Sequence, residues 1–247
     1  MIEGWENALV LVCFWGLMVA NLLTPQVFKK LRGKNWQDWC LDLSGLSIQG
    51  ILIPLLQITL VYALYHLLLP THQGSWHLSQ FMSFLISFVV IDYLYYWNHR
   101  LLHQTTLWCW HQVHHTVTNM DVLGTSRNTV WTSFLILYLW LHPLFIYLLN
   151  DSTGYLIGVS LTSALDLWRH SSFYPQGWFY ACLNPCFILP QDHTQHHANE
   201  IFHCNYGANL KWWDQWHGTY KETLVIPEIL GIKTDLTLIQ KLFYPIS

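Results

Sequence analysis

Four long apolar runs, roughly residues 8–28, 46–69, 78–98 and 129–149, set the first limit on this chain. Each approaches the ~20 residues a helix needs to cross about 30 Å of hydrocarbon. Inside a bilayer the backbone must satisfy its own polar groups, so such runs are read as helices. A fifth segment, "TGYLIGVSLTSALDLW" at 153–168, is shorter and more polar and suits a hairpin partner for the fourth. Composition agrees: only 10% of the residues are charged, against about 25% in soluble domains. The 15 Trp and 13 Tyr suit a lipid–water boundary. The expected fold is all-α and polytopic, with about four transmembrane helices plus a short hairpin helix. No repeat or linker divides the chain, so residues 1–247 are expected to form one integral-membrane domain.

Lys and Arg decide orientation. Lys29, Lys30, Arg32 and Lys34 follow the first run. Arg100 follows the third, Arg127 precedes the fourth, and Arg169 follows the hairpin. The other four, Lys211, Lys221, Lys233 and Lys241, lie in the C-terminal part. Threading the runs alternately through a membrane puts all of them on one side. That side is expected to be cytoplasmic, in a bacterial inner membrane or the endoplasmic reticulum. Residues 170–247 carry no long apolar run and are expected to fold back there as a helical cap. Acidic Glu3 and Glu6 precede the first run, so it reads as a retained span and not a cleavable signal. The net charge of −3, with no basic cluster, excludes a general nucleic-acid binder. Cys13, Cys40, Cys109, Cys182, Cys186 and Cys204 form no CxxC pair and read as reduced thiols.

The histidines are not spread evenly. "HRLLHQTTLWCWHQVHH" at 99–115 holds five, and "HTQHH" at 193–197 holds three more. His99 and His103 are spaced i, i+4. His111, His114 and His115 are spaced i, i+3, i+4, and His193, His196 and His197 repeat that pattern. A helix carrying HxxHH can serve two neighbouring metals from one face. Eight imidazoles exceed what one tetrahedral ion needs, so two ions in a shared cage is the economical reading. Imidazole suits iron, zinc, copper and nickel. His170, at the end of the hairpin on the same side, joins the candidate ligands. Whether His203 or His217 adds one stays open. His66, His72, His77 and His142 read as interfacial or hydrogen-bonded residues. Two carboxylates are candidates to orient the rings: Asp92 lies two turns before His99, and Asp166 one turn before His170.

These motifs, "DYLYYWNHRLLH", "LWCWHQVHH", "HTQHH" and "NYGANLKWWDQWHGTY", resemble the fatty acid hydroxylase/sterol desaturase superfamily over roughly residues 85–222. The resemblance implies a membrane di-iron oxidase that uses O2 to hydroxylate or desaturate a lipid C–H bond. By position it implies His99, His103, His111, His114, His115, His193, His196 and His197 as ligands. His170 matches an isolated histidine of many relatives, followed here by Ser171-Ser172 where Ser-Asn is common. The closing motif reads His217-Gly218-Thr219 where Phe-Gly-Thr is common.

Cleaving an unactivated C–H bond needs a strong oxidant, with water kept out. A cavity lined by Leu, Phe and Trp beneath the metals is expected. Asn205, Tyr206 and Gly207 are expected to shape a turn that seals the cap, anchored by Asp214. No dinucleotide fingerprint is present, so electrons are expected from a separate cytochrome b5-like protein or a ferredoxin with its reductase. The alternative is a membrane zinc hydrolase using the same cage, although HExxH is absent. A transporter or bis-His haem protein is disfavoured because the clusters flank the runs.

Overall fold

Helices account for the regular elements of the computed structural model, which describes residues 5–199, 203–223 and 225–246. Glu3 lies outside them. Among the described residues there is no strand. Isolated backbone bridges pair Trp76 with Leu149, Phe187 with Leu210 and Ala198 with Leu230.

Helix α1 spans Trp5–Leu23 and α2 spans Pro25–Arg32. The first apolar run was expected to continue to residue 28, but the axis turns by 96° between them. Pro25 causes the turn: it pushes the residue before it out of helical geometry, and Thr24 sits at φ −93°, ψ 107°.

Helix α3 runs Trp36–Leu68, starting ten residues before the apolar run. Asn35 caps it, its side chain accepting from Asp38 N at 2.9 Å. Pro54 lies inside α3 with no N–H to donate, and wide π turns at Ile48–Leu52 and Gln57–Val61 flank it. Helix α4 spans Gln80–Leu102 and is capped by Ser79. By length and composition α3 and α4 can each cross a membrane, and α1 with α2 makes a third crossing if the bent pair counts as one.

The fourth expected span is not one helix. After α5 (Trp108–His111), residues 129–149 form α6 (Thr132–Leu135) and α7 (Tyr138–Leu148). The 11 residues of α7 rise about 16 Å, half of a hydrocarbon core. The Asn98 side chain holds the break open, donating to Leu135 O at 3.0 Å and accepting from Leu137 N at 3.3 Å. The structure thus gives two or three candidate crossings where the sequence suggested about four.

Helix α8, Thr153–Arg169, is the expected hairpin helix. It packs between α1 and α4. Gly154 and Gly158 face α4 so closely that a Cβ would strike Gln80 O and Ser87 Oγ. This is the small-xxx-small pattern that lets membrane helices approach. Short helices α9 (Gly177–Leu183), α10 (Pro190–His196), α11 (Trp212–Trp216) and α12 (Leu238–Phe243) complete the C-terminal part.

A buried cluster of Leu31, Val122, Leu123 and Leu167 packs with Phe14, Leu17 and Trp39. It ties α1, α2, α3 and α8 to the loop at 121–128, which forms one wall of the site.

Candidate metal centre

All nine candidate histidines are buried, and they converge. The end of α4 supplies His99 and His103. The segment after it does not stay helical: His111 ends α5, and His114 and His115 open a 3-10 turn. α10 supplies His193, His196 and then His197, and the end of α8 supplies His170.

The rings divide into two groups. His99, His103, His111, His115 and His196 form one, and His114, His170, His193 and His197 the other; within each, the nitrogens lie within 4.8 Å of one another. Each HxxHH motif splits in the same manner, giving its i, i+4 pair to one group and its i+3 ring to the other. On a helix, i+4 lies about 40° round from i, while i+3 lies about 60° round the opposite way. One motif can therefore feed two centres.

Backbone carbonyls fix the tautomers. His99 Nδ1 donates to Tyr206 O at 2.8 Å, His114 Nδ1 to Arg127 O at 3.1 Å, His170 Nδ1 to Asp166 O at 2.9 Å and His196 Nδ1 to Cys204 O at 2.6 Å. Each of these rings then turns an Nε2 lone pair inward. His114 and His170 point theirs at each other across 3.4 Å, and His170 and His193 bring Nε2 atoms to 2.9 Å. Between His114 and His170 no proton is left to share. Two ligands at 2.0–2.1 Å from one ion sit about 3 Å apart, so the donor set fits a cation held between the rings. Buried nitrogens without a protein partner among the described residues agree: His111 Nδ1, His193 Nδ1, His196 Nε2 and both of His197.

Burial drives the loop and cap imidazoles far below their usual range, and their mutual repulsion adds to it. This holds for His103, His111, His115, His193, His196 and His197, while His114 falls to about 3. The rings are neutral, as metal ligation requires.

The two carboxylates act differently from expectation. Asp92 does not reach His99. Its Oδ1 accepts from Asn209 N at 2.7 Å, and its Oδ2 from Leu210 N at 3.0 Å and Trp213 Nε1 at 2.7 Å. It clips the C-terminal part onto α4. Asp166 serves His170 mainly through its backbone carbonyl. Its carboxylate pairs with Arg169 at 2.7 Å and stands 3.5 Å from His170 Nδ1.

The turn at 205–207 is held as the sequence suggested. Asp214 accepts from Tyr206 N at 2.8 Å and Gly207 N at 2.7 Å. Burial pushes its carboxyl up to about 6, against those hydrogen bonds and one from Thr219. Asn205 adopts φ 53°, a conformation Asn tolerates better than most residues. Its Nδ2 donates to Asp192 O and Lys221 O. His203 and His217 belong to neither ring group. His217 stacks between Tyr96 and Trp216 and meets Tyr93 Oη at 3.3 Å. His142 bonds Tyr155 Oη at 2.9 Å and His66 lies 3.5 Å from Tyr147 Oη.

One network escaped sequence reasoning. Lys34 bridges Asp42 at 2.5 Å and Asp121 at 2.8 Å, and Arg127 bridges Asp42 at 2.6 Å and Asp38 at 2.7 Å. It is nearly all buried, and it pins the residue whose carbonyl orients His114. Lys34 and Arg127 carry a sequence signal only as charges beside apolar runs.

A cavity of about 370 Å³ reaches His99, His111, His114, His170 and His193. Leu11, Phe14 and Leu46 line it as expected, but no Trp does. Gln49, Tyr95, Asn128, Tyr138 and Thr162 stand there instead.

The sequence model of the family described as fatty acid hydroxylase matches residues 84–219, more than half of the chain and the whole histidine set. The chain belongs to the fatty acid hydroxylase family. Among its relatives, the ornithine lipid hydroxylase OlsE of Rhizobium tropici is 28% identical over 165 residues, 62% of this chain and 46% of that protein. The alkylglycerol monooxygenase of Danio rerio is 26% identical over 142 residues, 55% of this chain and 30% of that protein, and its Homo sapiens counterpart is 24% identical over the same length. The chain thus spans less than half the length of these fatty acid hydroxylase relatives. No solved structure gives a significant match.

Proposed function

We propose that this fatty acid hydroxylase family member is an O2-dependent di-iron enzyme that hydroxylates, or desaturates, an unactivated C–H bond of a membrane lipid. The observation that carries the reading is the pair of buried, neutral histidine groups whose lone pairs converge. Its relatives are a lipid hydroxylase and monooxygenases by name.

In hydroxylation, substrate R–H and O2 take up two electrons and two protons to give R–OH and H2O. Two iron ions, when bound by the nine histidines, would supply the redox chemistry that reduces O2. The chain's own residues do the rest. Carbonyls of Tyr206, Arg127, Asp166 and Cys204 hold protons on the outer Nδ1 atoms of four rings and keep the inner nitrogens basic. Asp214 holds the turn that carries the Tyr206 carbonyl, and Asp92 grips the backbone just after it. The cavity positions the substrate and excludes water. Electrons come from a separate donor, a cytochrome b5-like protein or a ferredoxin with its reductase. The site faces the cytoplasm beside the basic residues, and the protein is an integral membrane protein.

The test is metal content of detergent-purified protein from iron-supplemented cells, beside the His114→Ala, His196→Ala double variant. About two irons per chain, lost in the variant, with O2-dependent lipid oxidation, is the expected result. Turnover without O2, with zinc in the same place, would instead make it a hydrolase. Metal-free wild type would sink the metal reading.

A further inference from the structure

Beside the larger histidine group stands a column of aromatic rings that the chemistry above does not use. The Tyr206 ring centroid lies 5.1 Å from that of His103 and 5.8 Å from those of His99 and His196. Tyr96 of α4 meets Tyr206 edge-on at 6.1 Å. Beyond Tyr96 the column forks. Trp97 lies 5.5 Å away on one branch. On the other, His217 stacks on Tyr96 at 5.1 Å and Trp216 stacks behind it at 5.8 Å. The inner end is sealed, because Tyr96 and Tyr206 are buried. The outer end is open, with Trp97 38% and Trp216 74% exposed.

Ring packing accounts for the contacts but not for the proton route at Tyr96. Thr219 Oγ1 donates its one proton to Asp214 Oδ1 at 2.7 Å, and Arg100 Nη1 donates to Tyr96 Oη at 3.0 Å. Tyr96 Oη, 3.0 Å from Thr219 Oγ1, is therefore the donor in that pair. A buried phenol thus hands its proton, through one hydroxyl, toward a buried carboxylate. Burial leaves that carboxylate readier than most to accept it. A phenol gives up an electron readily when its proton can leave at the same time, which an acceptor within hydrogen-bond reach allows.

A second chain of rings makes a contrast. Tyr95, 5.5 Å from His99, stacks on Tyr138, and Tyr138 stacks on His142. All three line the cavity, so this chain leads to the substrate space and not to the outer face.

Building on the oxidase reading above, we propose that Tyr206 and Tyr96 form a discharge path, which carries electrons from the Trp97–Trp216 face into the cage when oxidant forms with no lipid in reach. Tyr96 loses one electron through Tyr206 to the cage. Its O–H bond breaks, Thr219 Oγ1 takes that proton, and the Thr219 proton passes to Asp214. The one-electron donor of the oxidase reading returns an electron at the Trp97–Trp216 face, and the proton retraces its route. Two such passages, with two solvent protons, turn the unused oxygen atom into H2O.

The path is tested without iron. Full-length protein in detergent carries zinc, which has no redox chemistry. A ruthenium photo-oxidant is tethered at Gln215→Cys in a Cys182→Ser background, beside Trp216; both positions are exposed. A flash in the presence of an electron-accepting quencher should leave a tyrosyl radical, read by electron paramagnetic resonance and transient absorption. Tyr96→Phe should lose most of that signal, Thr219→Val should slow its formation about tenfold or more, and Tyr95→Phe should match the parent. A parent protein without the radical overturns the proposal, and so does full signal in Tyr96→Phe. If Tyr96→Phe fails to fold, Thr219→Val decides. The protective role is read with iron, O2 and ascorbate but no lipid. Peptide mass spectrometry should then find several-fold more oxidised His and Trp around the cage in Tyr96→Phe than in wild type, and equal damage overturns the role. No O2 uptake by iron-loaded wild type would sink the oxidase reading, while the flash result still decides the path.

Discussion

The five-histidine and four-histidine groups draw on the same two HxxHH motifs and yet differ in surroundings. The larger group takes both rings from the end of α4, and the carbonyls of Tyr206 and Cys204 stand behind its His99 and His196. The smaller group has the Asp166 carboxylate 3.5 Å from His170, and three of its four rings line the cavity. Only two of the five rings in the larger group do so. The difference points to a division of labour. A saturated group is suited to holding an ion and tuning it, while a sparser group beside the cavity leaves room for a reactant.

Removing one ring from each group is the hardest test of that division. His197→Ala leaves three rings in the smaller group, and His103→Ala leaves four in the larger. His197→Ala should lose one of about two metals and at least about a hundredfold of activity, whereas His103→Ala should keep near-normal metal at weaker affinity. Equal losses by elemental analysis would show one site, not two.

Acid should separate the groups next. Each loop and cap imidazole of the two groups has a folded pKa below its unfolded value of about 6.5. The unfolded or open state therefore takes up protons first, so the stability and metal affinity these rings provide are full above about pH 6.5 and fall below it. For His114 the decline runs down to its folded value of about 3. Metal release followed by pH should occur in two waves, the four-ring group first. A single wave would break the distinction.

The Lys34–Asp42–Arg127 network reaches the smaller group through the Arg127 carbonyl on His114. Asp42 and Arg127 are buried, so Asp42→Ala leaves Arg127 short of a partner and should cost about 3–5 kcal/mol by thermal or chemical unfolding. Metal should be lost preferentially from the four-ring group. The mildest expected change is Asp166→Asn, which removes the anion beside His170 and should lower metal affinity or turnover about tenfold.

Side-chain chemistry was legible in the sequence where spacing carried it. HxxxH and two HxxHH motifs picked out eight histidines, and position at the end of the hairpin the ninth, His170; the structure gathers all of them together, and Asp214 was recognised as an anchor. Backbone chemistry was not legible, because any residue can supply a carbonyl. Nothing in the letters Tyr206, Arg127 or Cys204 announces an acceptor for an imidazole. Asp92 shows the same limit: seven residues fixes its place on α4, but not whether the group it meets is a ring or the backbone of another segment. Hydropathy located α4 and α8 well. It failed at residues 129–149, where a single side chain from α4 interrupts an apolar run that would otherwise continue.

The 96° turn at Thr24 has one more consequence. If α1 stands across the bilayer, α2 floats along its surface, with Val27, Phe28 and Leu31 on one side and Lys29, Lys30 and Arg32 available to anionic headgroups. Each such cation is worth about 1 kcal/mol near a charged leaflet. That fixes a waterline. Asp38 and Asp42 follow Trp36 on α3, about 3 and 9 Å below it along the axis. With α1 so placed, the arginine they grip, and His114 with it, would be moored at a shallow draught, close beneath the headgroups.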